Sequence, residues 1–272
     1  MSDAQRKPDF ETLASDYAKY RTSYSDALFD AILAYARPPR GGRVLDIACG
    51  TGLGLLPYVR RGLSVIGIDV APAMMQEARR LLPPDAKVEF RVGKAEALPV
   101  DDACVDLVSC AQAFHWFDPK PAFSECARVL VTGGAIAIFW KHAASGDALT
   151  RTSEEIVREW LGPDAVARSR DHADEHIKGW DAFWEHVAPE GEQARGRPFV
   201  DGRKEVIEFS LPRTGEEFVG YQRSREKIRM VLGERRDAYF KELECRLRAR
   251  GPMDEPVEQL QVQYCFFGRK RS

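Results

Sequence analysis

Apolar residues recur at three- and four-residue steps through Phe10, Leu13, Tyr17 and Tyr20, and again from Leu28 to Tyr35. That is the period of an amphipathic helix. Pro38-Pro39 and Gly41-Gly42 close the second stretch, and the rhythm changes at Arg43. Short apolar runs follow at 44–47, 64–69, 88–92, 105–109 and 135–140, with helical patterns between them at 53–61, 73–82 and 121–130. Short apolar strands alternating with helices predict βαβ units, a mostly parallel sheet covered on both faces, and strand carboxyl ends gathered on one edge. Residues 143–200 break the rhythm: they are polar and helical, Thr152-x-x-Glu155 has the form of a capping box, and Trp180, Phe183 and Trp184 make a second apolar stripe. This stretch reads as a helical cap inserted over the sheet edge. Alternation returns at Glu205–Leu211, Thr214-x-x-Glu217 opens another helix, and a further helix covers about 235–248. The segment from Val257 to Phe266 alternates apolar with polar, which predicts an antiparallel strand near the sheet edge with one wet face. Seven strands in one domain over 1–272 are expected: helices in 1–40, a core in 41–140, the cap in 143–200 and sheet completion in 201–272.

Composition narrows this picture only modestly. The chain has 272 residues, 44% apolar and 30% charged, enough for a packed core without staples. Forty basic against 42 acidic side chains leave a net charge of −2, so no global positive field exists for nucleic acid or an anionic membrane, although a local basic patch is compatible. The six cysteines include no C-x-x-C pair, the start of the chain is polar, and no apolar run approaches the ~18 residues of a membrane span. Reduced thiols and a cytoplasmic protein without a signal peptide are expected.

The most informative segment is Val44-Leu-Asp46-Ile-Ala48-Cys-Gly50-Thr-Gly52-Leu-Gly54, a strand ending in a glycine-rich turn that opens a helix. Glycines there permit positive φ and close approach of a ligand. Asp69 ends the next strand, where a carboxylate can accept both ribose hydroxyls of an adenosine cofactor. A nicotinamide dinucleotide requires G-x-G-x-x-G, and neither reading frame of this loop completes it. An acid at the head of the loop suits a cationic ligand better than a pyrophosphate.

These residues resemble the first motif of the class I S-adenosylmethionine-dependent methyltransferases, with Ala48 at its first glycine position. Ile66-Gly67-Ile68-Asp69 resembles the second motif, and Gly93 to Pro99 the adenine-edge segment, with Lys94 where the family often has Asp. Gln112-Ala-Phe-His115-Trp116-Phe-Asp118 and Tyr17-x-x-Tyr20-Arg21 resemble the small-molecule subgroup that includes trans-aconitate methyltransferase-like enzymes. The resemblance covers about 10–140 and the last strand. It implies a Rossmann-like, doubly wound α/β fold with an antiparallel last strand, and S-adenosylmethionine as cofactor, leaving as S-adenosylhomocysteine. It implies cofactor contacts at Tyr20, Arg21, Asp46, Ala48, Gly50, Gly52, Asp69, Val70, Met74, Ala95, Glu96 and Ala111. The expected acceptor is a small molecule methylated on oxygen, a carboxylate or hydroxyl; carbon or nitrogen acceptors, a nicotinamide oxidoreductase and a non-catalytic cofactor-binding module stand as alternatives.

Methyl transfer from a sulfonium is an in-line displacement that needs positioning and dryness rather than a metal or a covalent nucleophile. Residues just past the strand ends are the candidates. His115 is the expected catalytic group, as proton acceptor or hydrogen-bond donor, with loop positioning as its plainer role. Gln112, Trp116, Trp140, His142, Trp180 and Trp184 are the expected substrate residues, and Lys141 stands among them past the fifth strand. His172-x-x-x-His176 has helical metal-ligand spacing but no third ligand, so no metal is expected. Arg223, Arg225, Lys227 and Arg229 read as a solvated helix face, and Arg269-Lys270-Arg271 as a charged tail.

Overall fold

The computed structural model describes residues 10–144, 146–169 and 181–271. The first half of the chain follows the expected alternation: helices α1 (Phe10–Tyr20) and α2 (Asp26–Ala36), then β1 (Arg43–Ile47), α3 (Leu56–Arg60), β2 (Ser64–Asp69), α4 (Pro72–Leu81), β3 (Val88–Val92), β4 (Val105–Ala111), α5 (Pro119–Val129) and β5 (Leu130–Ala143). The second half adds α6 (Ala148–Leu161), α7 (Pro163–Ser169), β6 (Val187–Pro189), β7 (Phe199–Arg213), helices Gly215–Arg223, Glu226–Leu232 and Arg236–Arg250, and β8 (Val257–Lys270). The strands form one sheet in the order β3-β2-β1-β4-β5-β8-β7-β6.

The apolar runs are continuous because both faces of β1 to β5 are covered. Neighbouring residues alternate between two cores. Leu45, Val108 and Ile136 join Phe123 and Cys126 of α5 on one face. Val44, Leu107 and Ala135 join Phe29 and Ile32 of α2 on the other. A third core belongs to the cap, and it corrects the expectation that 143–200 forms the cap alone. Ile156 and Val157 of α6 and Val166 of α7 pack with Phe218, Tyr239 and Leu243 from the helices after β7.

Three further expectations are revised. The sheet has eight strands, not seven, because three-residue β6 pairs parallel with β7 inside the stretch assigned to the cap. Three residues are too few to carry a period. β8 lies inside the sheet, antiparallel to β5 and to β7, not near an edge. Its alternation is also inverted: Gln259, Gln261 and Gln263 are buried, whereas Leu260 is 45% exposed. Two of the glutamines find tertiary partners that a local pattern does not reveal, while the Gln261 amide nitrogen has none. Ser25 Oγ donates to Gln263 Oε1 (2.5 Å), and Gln259 Nε2 donates to Asp147 Oδ1 (3.0 Å).

The two capping-box patterns divide. At Thr214 the box is real: the hydroxyl accepts from Glu217 N (3.1 Å) and the Glu217 carboxylate accepts from Thr214 N (2.9 Å). At Thr152 it is not, because α6 starts earlier. Asp147 caps it by accepting from Thr150 N (2.9 Å), and the interior Thr152 hydroxyl donates back to Ala148 O (2.8 Å). Arg269 and Lys270 are no tail; they close β8, donating to the carbonyls of Gly133 (2.7 Å) and Leu130 (2.6 Å). Arg225 is buried and donates to Ser169 O (2.7 Å), leaving the solvated-face reading to Arg223, which pairs with Glu244.

Helix α1 is held from two sides. Ala14 packs on Ala71 and Met74 at the start of α4. The Tyr20 ring lies on Gly220, where a Cβ would stand 2.2 Å from ring carbons. Gly220 is inside the helix Gly215–Arg223, where alanine is intrinsically favoured over glycine by ~1 kcal/mol. The clash should outweigh that gain. Gly220→Ala is expected to lower stability by roughly 1–3 kcal/mol in chemical denaturation and to expose α1 to protease; a stabilised variant would show that Tyr20 is not seated there.

Candidate active site

The glycine turn and the ends of β4, β5, β7 and β8 enclose a cleft beneath the segment joining α1 to α2. Its floor is Ala48, Gly50, Thr51, Gly54 and Ala111; its roof includes Tyr17, Arg21, Thr22 and Tyr24; its far wall is Gln112, Lys141, Arg213, Tyr221 and Gln261. The turn is wound through positive φ at Ala48 (52°), Gly50 (52°) and Gly52 (84°), and Gln112 at the end of β4 has φ 60°. For the two residues that carry a Cβ, this conformation costs ~1–2 kcal/mol each, and such strain gathers at functional sites. Gly54 is needed for space: a Cβ there would stand 3.1 Å from Ala111 Cβ and 3.5 Å from an Asp46 carboxylate oxygen.

Asp46 is buried at the base of this turn, and neither carboxylate oxygen has a hydrogen-bond partner of standard geometry. Burial lifts its pKa from the usual 3.8 to about 7, opposed by the neighbouring Ser109 hydroxyl and reinforced by the charge of Asp69. Asp69 is treated differently: it accepts from Gly50 N (2.8 Å) and Ala71 N (2.9 Å), so the carboxylate is pinned beside the turn. An ionised carboxylate retains lone pairs beyond those two bonds. Met74 sits against Gly50, where a Cβ would be 3.5 Å from its methyl carbon. Val70 is exposed, Ala95 is buried, and Glu96 accepts from Asp118 N (3.0 Å), tying the segment after β3 to the start of α5.

The roof is fastened by two cations. Lys141 Nζ donates to Thr22 O (2.7 Å), Thr22 Oγ1 (2.8 Å) and Ser23 O (2.8 Å). Burial, then the charges of Arg213 and Arg21, push its pKa down to about 7. Arg21 donates to Ser224 Oγ (3.1 Å) and Ser224 O (3.2 Å), with its guanidinium 4.8 Å from the Tyr17 ring centroid and 5.0 Å from that of Tyr221. Gln112 Nε2 donates to Lys141 O (2.7 Å), joining the ends of β4 and β5.

The expected substrate residues separate. Gln112 lines the cleft. Trp140 and His142 project from the opposite face of β5 from Lys141, as strand alternation requires, and His142 lies against Tyr264 (5.9 Å between centroids). Trp140 Nε1 donates to His115 Nδ1 (3.3 Å), and the His115 ring lies 4.7 Å from that of Trp116. An indole N–H only donates, so Nδ1 is the unprotonated nitrogen and the neutral ring carries its proton on Nε2. His115 is therefore built to donate from Nε2, and it lies outside the cleft's lining. Trp184 packs on Phe183 and Phe266 in the sheet core. Trp180, His172 and His176 lie outside the described residues. Among the described residues no three His, Cys, Asp or Glu side chains gather as a metal site, and no helix is long and apolar enough to cross a membrane. Arg213, Tyr221 and Gln261 line the cleft without any local signal in the sequence, whereas Tyr17 has one in the Tyr17-x-x-Tyr20-Arg21 pattern and Lys141 stands among the candidates of the fifth strand.

A family model described as a methyltransferase domain matches residues 45–138. An uncharacterized methyltransferase of Mycobacterium tuberculosis strain H37Rv is 39% identical over 131 residues, 48% of this chain and 51% of that one. A demethylmenaquinone methyltransferase of Clavibacter sepedonicus is 28% identical over 195 residues, 66% of this chain and 79% of that one. The chain thus spans about half the length of the first curated relatives it matches. In fold, the chain is similar to a protein described as a type II methyltransferase from Anaeromyxobacter dehalogenans, with a TM-score of 0.65 and 23% identity over 92% of this chain and 98% of that one. It is also similar to a phosphoethanolamine N-methyltransferase of Haemonchus contortus solved with S-adenosylhomocysteine, with a TM-score of 0.53 and 17% identity over 98% of this chain and 61% of that one.

The buried Asp46 gives this region a pH signature. Its folded pKa lies above its unfolded value, so its contribution to stability is full below about pH 4 and is lost as pH rises through about 7. Asn at 46 does not titrate. The stability of the ligand-free protein relative to Asp46→Asn is therefore expected to fall between pH 4 and pH 7, as read by denaturant melts at each pH; a flat difference would mean that Asp46 is already partnered.

Proposed function

We propose that the chain is an S-adenosylmethionine-dependent methyltransferase acting on oxygen of a small molecule, a carboxylate or hydroxyl, and that the cleft is its active site. The observation that carries the reading is the buried, unpartnered Asp46 carboxylate at the head of a glycine turn. A buried carboxylate without a partner is costly, and a bound cation removes that cost. S-adenosylmethionine fits the donor set: its ammonium and sulfonium are cations for Asp46, its ribose diol suits the pinned Asp69, and Gly50 and Gly54 keep the turn free of side chains. The match of residues 45–138 to a methyltransferase domain supports the same reading.

When bound, this cofactor supplies a methyl group already activated by a sulfonium, ready for in-line displacement that leaves S-adenosylhomocysteine. The chain's own work is to bind, align and exclude water. Asp46 and the turn hold the amino-acid end, and Asp69 the ribose. Lys141 and Arg21 fasten the segment after α1 over the cleft, closing it against solvent. Gln112, fixed by Lys141 O, faces the space between the glycine turn and β5. His115 positions the loop after β4 through Trp140. The Tyr17-x-x-Tyr20-Arg21 and 112–118 segments, with their likeness to trans-aconitate methyltransferase-like enzymes, favour an oxygen acceptor. The free thiols of the described cysteines fit a cytoplasmic setting.

Calorimetry with S-adenosylmethionine and, separately, NAD tests this. The first is expected to bind and the second not. Removing a charged acceptor costs ~1.5–3 kcal/mol, so Asp69→Ala should weaken S-adenosylmethionine by about tenfold or more. Below pH 7, binding should release a proton from Asp46, seen as heats that vary with buffer ionisation enthalpy. NAD binding without S-adenosylmethionine binding would overturn the assignment.

A further inference from the structure

The two edges of the sheet are built differently. At one edge, β6 is three residues long and pairs with β7 only near the start of that strand. Past that point β7 is bulged between Val200 and Arg203. It then sets three exposed charged residues in succession, Arg203, Lys204 and Glu205, and carries Pro212 near its end. A short last strand, a bulge, charges and a proline are the devices that keep a sheet edge from pairing with another chain. β3, at the opposite edge, has five residues, no bulge, no proline and an apolar residue at every second position.

Among the described residues β3 pairs with β2 alone, so one side of its backbone ladder is open. Strand alternation puts Val88, Phe90 and Val92 on one face and Glu89 and Arg91 on the other. Val88 and Phe90 pack inward against the core that holds α2. Val92 does not: it is 60% exposed, and Leu81 at the end of α4 is exposed as well. On the charged face, Arg91 Nε donates to Glu89 Oε1 (2.8 Å) and Arg91 Nη1 to Pro99 O (2.6 Å). The Glu89 side chain is still 59% exposed, so its carboxylate is open to a second cation.

We infer that β3 is a self-pairing edge: two copies of this chain join through antiparallel β3 strands about a two-fold axis at Phe90, making one continuous sheet. Such an axis sets residues equally spaced from Phe90 opposite each other. Phe90 then meets its counterpart, Val88 meets Val92 twice, and Glu89 meets Arg91 twice. Every cross-strand pair is apolar or oppositely charged, the pairs that stabilise a sheet. Moving the axis to Glu89 or to Arg91 sets like charges against each other, so the register is fixed. The occupant is fixed by the same pattern. Read backwards, Val-Glu-Phe-Arg-Val keeps its apolar positions and exchanges its two charges, which an isologous contact requires and a foreign strand does not. The contact consumes the edge of both copies and closes at two. It is roughly 17 Å long at ~3.3 Å per residue, short for a stable interface, so the dimer is weak. The inference stands apart from the methyltransferase reading, since no residue of β3 lines the cleft.

Analytical ultracentrifugation of the whole protein tests this, over about 5 to 500 μM and at low and high salt. A reversible monomer–dimer equilibrium is expected, with a Kd of roughly 10–100 μM for so short a contact, weakened severalfold by ~0.5 M salt. Glu89→Arg and Arg91→Glu each set like charges against each other across the axis, and each alone is expected to be monomeric. Mixed in equal amounts, the two variants should pair with one another, and the chain carrying both substitutions should dimerise as the original does. Recovery on mixing also shows that neither variant is misfolded. Val92→Lys, at an exposed position, should weaken the dimer at least fivefold. A monomer throughout the range, a dimer that none of these single substitutions weakens, no recovery on mixing, or assembly beyond two copies would overturn the inference.

Discussion

A carboxylate buried without a partner organises the cleft. Asp46 closes against the glycine turn with neither oxygen in a hydrogen bond of standard geometry, and the backbone around it is wound through positive φ at Ala48. A fold optimised for stability alone would place an amide or an apolar residue there. The buried acid is tolerated because the parallel sheet around it is packed on both faces, with the adjacent Val44 and Leu45 committed to opposite cores. The loss at Asp46 is small against that burial, and a cationic ligand recovers it.

The same logic runs in reverse on the other side of the cleft. Arg213 is a buried cation without an anion, and Gln261 a buried donor without an acceptor. Acid and base cannot neutralise each other because the strand order holds them apart. Between them, Lys141 donates to Thr22 and Ser23 in the segment after α1, and Arg21 of that segment donates to Ser224, so the roof is tied to both halves. The cleft thus has a buried acid near one wall and a buried base at the other, under a roof tied to β5 and to Ser224.

The first half of this site was legible in the sequence and the second was not. Asp46 and the alternating glycines form one contiguous pattern, and Asp69 follows at the end of the next strand, so their chemistry follows from spacing. The β-strands carrying them declare themselves by apolar runs that only a doubly covered sheet explains. Arg213, Tyr221 and Gln261 give no local signal. Gln261 lies in a strand whose alternation points the wrong way, because its buried face is polar and two of its glutamines bond to residues far off in sequence, Ser25 and Asp147. Arg213 reads as an ordinary arginine before a capping box; only the antiparallel register of β7 on β8 brings it to the cleft. The eighth strand was hidden by its three-residue length, and Trp140 and Trp184 were drawn toward the site by aromaticity although strand alternation and core packing place them elsewhere.

The account depends most on Asp46 being a carboxylate in wait for a cation. Site-resolved carbon NMR of its carboxyl group, titrated with and without S-adenosylmethionine, measures this directly. In the free protein the carboxyl should titrate at about 7, and with S-adenosylmethionine bound it should remain ionised down to the ordinary carboxylate range. An Asp46 that titrates in that ordinary range without ligand, or whose titration is unmoved by S-adenosylmethionine, would contradict it.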